Sequence, residues 1–416
     1  MSSASSPYVP ANQLFLWYLA DPANPVLIGT LNLVMNGRGV SLSYAASWLR
    51  HGFALSEDLP LMTREHPPRA RDHAAGAVED ARPDRWGERV IRHLERPPRL
   101  SLLELLFFAG DERAGALGVS SSASAYLPCH RGPLPTLADA DELHGLVLSV
   151  IAGEPIDERK RRLMRPGTLG GARPKALIDL DGEPWILKFA DGDDTRHEPL
   201  IEHAAMTLAA RAGIVVAETR PITTSLGTAV AVRRFDRDAG QRRHVISAHV
   251  ALGAAGSELA YPALAQLLRR RGEPAQGLAR QQMRELFRRM VFNILIDNTD
   301  DHEKNHALLM TDSQTYQLSP AYDVLPAGTA LGYQSLGVGA AGAEASLHNA
   351  LTQPAAFGLS REEAVQEAAR VAGVVAQWAR HFAESGVPHA EVTRLAHAID
   401  RPDLQRQRAE VQAQAL

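Results

Sequence analysis

Apolar and polar positions alternate with a period of two in the opening stretch of the chain. Residues 15–19 and 26–35 read as strands. The second runs into Asn36-Gly37, a hairpin-turn dipeptide, and then into a third strand over 40–44. Pro- and Arg-rich stretches at 66–71 and 96–99 interrupt this pattern. Between them, 84–94 predicts a short helix opening after Pro83. Ser101 has Glu104 three residues on, a capping-box start for the apolar helix that follows. Residues 120–135 are rich in Ser, Pro and Gly and read as a linker, which divides the chain into domains at 1–135 and 136–416.

A helix is expected from 139 to about 152. Strands over 176–180 and 184–189 then join across Asp181-Gly182, followed by a helix over 199–212 and strands over 215–224 and 228–235. Past that point the hydrophobic spacing becomes three to four, predicting helices over 264–270 and 278–297. After a polar loop come two short strands, 307–310 and 315–318, and further helices to the C-terminus. Strands with one early helix, then a mainly helical half, predict a two-lobed α+β unit. Its N-lobe would span about 160–245 and its helical C-lobe about 246–416.

Composition narrows the class. With 45% hydrophobic and 22% charged residues among 416, a wholly disordered or collagen-like chain is excluded. A net charge of −4 argues against a protein that grips nucleic acid by bulk charge. The single Cys129 allows no intramolecular disulfide and no Cys-based zinc cluster, and fits a reducing compartment. The start, MSSASSPYVP, does not read as a secretory signal, and the apolar stretch 102–109 is broken by Glu104. A soluble cytoplasmic protein is the expectation.

Of the 44 basic residues only four are lysines, at 160, 175, 188 and 304. Arg and Lys differ where a compact point charge must meet phosphate, so a retained lysine stands out. Three of the four fall in three stretches with chemical potential. The first, Thr168-Leu-Gly170-Gly171-Ala172-Arg-Pro-Lys175, precedes a strand, and its adjacent glycines would let backbone N–H groups approach a phosphate. It matches neither standard phosphate-loop spacing, and a tight turn explains it equally well. The second is Lys188, closing the apolar run Trp185-Ile-Leu-Lys188. Either its head reaches water from an edge strand, or it meets a partner such as Glu202 and a nucleotide's phosphates. The third is Asp297-Asn-Thr-Asp300-Asp301-His302-Glu303-Lys304-Asn305-His306, with Asp323 eighteen residues beyond Asn305. Asp300 and Asn305 have the D-x-x-x-x-N spacing of a kinase catalytic loop. One carboxylate would orient an attacking hydroxyl, and the amide would turn back to magnesium, with Asp323 completing the metal site. A solvated loop capping a helix is the plainer explanation.

The order of parts favours the chemical explanation: Gly-rich loop, strand lysine, helix glutamate, catalytic loop, metal aspartate. The third stretch also satisfies H-E-x-x-H, the zinc-hydrolase pattern, through His302, Glu303 and His306. Against it, Asn-Thr-Asp-Asp is turn chemistry rather than helix, and no glutamate follows before Glu344.

Taken together, these residues resemble the HipA family of serine/threonine kinases, the toxin half of bacterial toxin–antitoxin pairs. The likeness runs over nearly the whole chain. It rests on Gly170-Gly-Ala-Arg-Pro-Lys175, Ile186-Leu-Lys-Phe189, Arg234-Phe-Asp-Arg237, Asn298-Thr-Asp-Asp-His-Glu-Lys-Asn305 and Leu318-Ser-Pro-Ala-Tyr-Asp-Val324. Leu59-Pro-Leu61 and Pro83-Asp-Arg-Trp-Gly87 resemble the small domain that precedes the family's kinase lobes.

The resemblance implies a bilobal, protein-kinase-like α+β fold behind an N-terminal accessory domain. It implies ATP- and Mg2+-dependent phosphorylation of a protein hydroxyl, often on an aminoacyl-tRNA synthetase, which would arrest growth. By position, Asp300 would be the base, Asn305 and Asp323 the magnesium ligands, and Lys188 the phosphate-holding lysine. Gly170, Gly171, Ala172 and Lys175 would cover the nucleotide, with Glu202 and Lys304 in the same binding set. Arg233 to Phe235 would form the hinge beside adenine through backbone groups. Thr168 stands where the family carries an autophosphorylated Ser. A small helix-turn-helix antitoxin would be the partner, and DNA contact would come through it. Arg173-Pro174 and Arg233 depart from the family pattern. Two other readings stay open: a non-catalytic kinase-fold binding module, and the zinc hydrolase.

Overall fold

Why the opening strands form is visible in the computed structural model, which describes residues 8–129, 132–166, 171, 173–190 and 197–416. In Gln13–Tyr18 the side chains of Leu14 and Leu16 are buried on one face of a sheet. The sheet has five strands, in the order His73–Ala74, Gly39–Tyr44, Val26–Val34, Gln13–Tyr18, Leu117–Ser120. All its pairs are antiparallel except the edge pair with His73–Ala74. The expected hairpin is present, but its strand ends at Val34, because Met35 joins Asn36 and Gly37 in a turn of left-handed backbone. The helix Arg85–Leu94 is capped by Asp84, whose Oδ1 accepts from the Gly87 N–H at 2.7 Å. The capping box at Ser101 and Glu104 starts the helix Leu102–Phe108 as its spacing predicts.

Two compact units divide the chain. One is Met1–Leu177 with Asp236–His244, the other Ile178–Phe235 with Val245–Leu416. The division falls within the strand Lys175–Leu180.

A four-stranded sheet, in the second unit from Ile178 onward, runs in the order Lys175–Leu180, Glu183–Lys188, Gly227–Arg233, Thr219–Thr224. Asp181 and Gly182, both at positive φ, make the first turn. The strand expected from 215 begins only at Thr219. Val216 instead bridges Ala321, with Ala217 N–H donating to the Ala321 carbonyl at 2.9 Å and Ala321 N–H to Val215 at 2.8 Å. That detour fixes the residues just before Asp323. The helix Glu198–Arg211 packs on the sheet, and a second, three-stranded sheet joins Val245–Ser247, Ala307–Met310 and Tyr316–Leu318.

The remainder is helical, as the three-to-four spacing predicts. Tyr261–Arg271, Leu278–Leu295, Arg361–Val375, Trp378–Glu384, His389–Ile399 and Pro402–Gln414 are its helices of seven residues or more after the four-stranded sheet, besides Ala248–Ala254. Leu278–Leu295 stops two residues short of the expected end because Asp297 adopts φ 58°. This mixture of sheet and helix is the α+β class expected. Among the described residues no helix is long and apolar enough to cross a membrane.

Candidate active site

Lys188 closes the strand Glu183–Lys188 opposite Val230, so its side chain enters from the strand's end while Leu187 faces the other way into the core. Its ammonium is buried between two carboxylates, 2.6 Å from Glu202 Oε1 and 2.8 Å from Asp323 Oδ1. Glu202 sits in the second turn of Glu198–Arg211 and is 1% exposed. Burial by itself would pull the Lys188 ammonium down. The charges of Asp323 and then Glu202, with their hydrogen bonds, outweigh it and hold the value above that of an ordinary lysine. The Lys188 ammonium thus ties the helix Glu198–Arg211 to the segment that carries Asp323.

Asp323 takes φ 58°, a left-handed conformation that few non-glycine residues adopt. Next to it, Tyr322 donates from its hydroxyl to the Lys304 carbonyl at 2.7 Å, tying this segment to the loop that carries Asp300 and Asn305.

That loop is held from beneath. Tyr261 donates to the Asp301 carboxylate, and His306 Nε2 lies 2.9 Å from the same oxygen. Burial, and then the charge of Asp301, pushes the Tyr261 phenol far up, so it stays a donor. Asn293 Nδ2 donates to the Tyr261 oxygen, and Asn298 Nδ2 to Asn293 Oδ1, each at 3.1 Å. Asp300, by contrast, is exposed. Glu303–Asn305 forms a single 3-10 turn, with His302 Nδ1 accepting the Lys304 N–H at 3.2 Å. A hydrogen bond from His249, 2.9 Å away, lowers Glu303 to about 2.

Asn305 folds back onto its own loop. Its Nδ2 donates to the Asp300 carbonyl at 3.3 Å, while its Oδ1 is buried without a partner among the described residues. An unsatisfied amide oxygen and the Asp323 carboxylate are the hard oxygen donors that suit Mg2+. The residues present fit such an ion.

The H-E-x-x-H pattern has no helix to display it. Its residues span a 3-10 turn, His302 caps that turn, and His306 is spent on Asp301. Among the described residues no three His, Cys, Asp or Glu side chains gather as a metal cage, which a zinc hydrolase requires.

Other predicted residues are placed as follows. Lys304 is exposed. Arg233 is exposed, 3.4 Å from Glu183 and 4.0 Å from Glu218. The Arg233 and Arg234 N–H groups already donate to Glu218 and Pro184 carbonyls, so neither can serve a base; Phe235 packs on Tyr322 with rings 5.2 Å apart. In the first unit Lys175 is buried with its ammonium 2.6 Å from Asp84 Oδ2 and 3.2 Å from the Gly171 carbonyl. Its charge is committed there, and a phosphate contact would require it to leave that pair. Gly171 takes φ 85°, while Thr168, Gly170 and Ala172 lie outside the described residues.

Tyr261 went unmarked in the sequence, and Asp297 and Tyr322 stood inside quoted stretches with no role of their own. Asp301 and His306 sat in plain view but read as turn and zinc chemistry. The only signal for Tyr322 was its place beside Asp323.

Comparison with known proteins bears on the family. The profile for the HipA-like C-terminal domain matches residues 167–378, and that for the HipA N-terminal domain matches 23–120. A Sinorhizobium fredii protein with a provisional kinase name, Y4dM, is 29% identical over 160 residues. The match spans 35% of this chain and 37% of that relative. Among solved structures, the Shewanella oneidensis HipA toxin–antitoxin system, in complex with HipB and its operator DNA, superposes with a TM-score of 0.64. The identity is 19%, over 97% of this chain and 96% of that one. On the matched domain profiles, which run in order along the chain, the protein belongs to the HipA family.

Proposed function

We propose that this HipA-family chain is an ATP- and Mg2+-dependent protein serine/threonine kinase of the toxin type. The observation that carries the reading is Lys188, buried between Glu202 and Asp323 in the arrangement of a phosphate-holding lysine. Bound Mg2+-ATP would supply the phosphoryl group and the cation that offsets its charge. The Asn305 amide oxygen and the Asp323 carboxylate would hold the metal. Lys188, kept protonated by its two carboxylates, would hold phosphate oxygens. Asp300 would orient the substrate hydroxyl and accept its proton. The buried support from Tyr261 through Asp301 to His306 would keep that loop in place. A helix-turn-helix antitoxin is proposed as partner, by analogy with the HipB-bound Shewanella structure. A translation component such as an aminoacyl-tRNA synthetase is proposed as substrate.

Transfer of radiolabelled phosphate from ATP to protein tests the reading. Asp300→Asn is expected to lower the rate by about 10²-fold or more. Lys188→Ala and Asp323→Ala should each abolish transfer, and Asp323→Ala should also remove Mg2+-dependent nucleotide binding. Undiminished labelling in these variants would sink the assignment. A wild type that binds Mg2+-ATP yet labels no protein would establish the binding-module alternative. Growth arrest on expression, relieved by a neighbouring helix-turn-helix gene, would test the toxin role.

A further inference from the structure

Asp297 combines three features, of which ending a helix accounts only for the first. It follows Leu278–Leu295 in a left-handed conformation, φ 58°, where glycine is the unstrained choice. Its carboxylate is 1% exposed. Both carboxylate oxygens are engaged by distant parts of the same unit: Oδ2 accepts the Thr329 and Ala330 N–H groups at 2.9 and 3.0 Å, and Oδ1 accepts Arg401 Nη1 at 3.1 Å. Its own carbonyl accepts the Ala327 N–H at 2.9 Å. Strained backbone and a buried charge persist where the surroundings use them.

The two strands of chain joined here are those that matter for the site. Asp297 opens the loop bearing Asp300 and Asn305, three and eight residues on. Residues 327–330 close the segment that starts at Asp323, itself left-handed. The proposed magnesium ligands therefore sit on two loops, tied by Tyr322 at one end and by Asp297 at the other.

We propose that Asp297 is a positioning residue that clamps the segment following Asp323 onto the catalytic loop and so sets the Mg2+ requirement of the site. The inference rests on the kinase reading above. Two readouts test it in the full chain: amide hydrogen exchange at Thr329 and Ala330, and the Mg2+ concentration that half-saturates binding of a fluorescent ATP analogue. In Asp297→Ala both amides should exchange faster, and the Mg2+ requirement should rise about tenfold, as on losing a group that orients a metal ligand. Asp297→Asn keeps a carbonyl for the two amides and turns an NH2 toward Arg401. Its requirement should rise by about threefold, with exchange closer to wild type. Should Asp297→Ala fail to fold, the Asn variant decides. An unchanged Mg2+ requirement in either variant would reduce Asp297 to a helix stop and overturn the proposal, as would amides that stay protected in Asp297→Ala. A wild type that binds no Mg2+-nucleotide would instead sink the kinase reading itself, a different and separable failure.

Discussion

The His244 ring is buried, with Nε2 2.8 Å from the Leu55 carbonyl oxygen and Nδ1 without a partner among the described residues. The neutral ring donates once from Nε2. A second proton would place an unanswered N–H beside Phe53, whose ring lies 5.6 Å away. Burial pushes the imidazole down to about 4, and the Leu55 carbonyl opposes this only in part. The folded value lies below 6.5, so between pH 6.5 and 4 the unfolded chain binds more protons. This contribution to stability is complete above 6.5 and is lost as the pH falls through that window. The expected loss is about 3 kcal/mol, read by denaturant unfolding at a series of pH values, and His244→Phe should flatten that slope. Glu303 acts lower: held at about 2 against an ordinary 4.5, its contribution is present above 4.5 and lost below. None of this was legible beforehand. Lys188 and Glu202 were, because a charge ending an apolar strand needs a partner and a helix glutamate stood fourteen residues on.

At the scale of elements, local spacing was a faithful guide and distant pairing was not. The helix Leu102–Phe108 begins where Ser101 and Glu104 place it, since a capping box is written within four residues. What the spacing could not show is that Glu104 also accepts from Arg99 and from the Tyr8 hydroxyl, the latter at 3.0 Å. Burial works to raise this carboxyl, yet hydrogen bonds from Arg99 and Ser101 hold it below its usual range. Ser101→Ala should cost about 1 kcal/mol, the value of a cap. Glu104→Ala should cost about 2 kcal/mol, because it also removes the carboxylate that Arg99 and Tyr8 share, although Arg99 keeps the Ala11 carbonyl and Asn12 Oδ1. Equal losses in thermal unfolding would show that the cap alone matters. The strand ending at Thr224 taught the reverse lesson: its alternation reads from 215, but Val216 answers to Ala321, more than a hundred residues away.

For the molecule as a whole, the segment Asp236–His244 belongs to the first unit although its flanks belong to the second. Asp236 Oδ2 accepts the Gly115 N–H at 2.7 Å, and Arg237 donates to the Gly115 and Arg113 carbonyls, each at 2.9 Å. Arg113 is buried in turn on the carbonyls of Ala81, Leu106 and Gly110. The motif Arg234-Phe-Asp-Arg237 was visible in the sequence, but the partners of Asp236 and Arg237 lie some 120 residues earlier, beyond any periodicity. Arg237→Ala should destabilise the first unit by about 3 kcal/mol, measured by chemical unfolding; a loss near zero would make the segment a bystander. The scarcity of lysine has a practical outcome of its own. With Lys175 and Lys188 buried in ion pairs, Lys160 and Lys304 are the two lysines whose amines meet solvent. Brief treatment with an acylating dye would thus mark two side chains in a 45.1 kDa chain, and one of those labels would report from inside the loop beside Asp300 without any mutation.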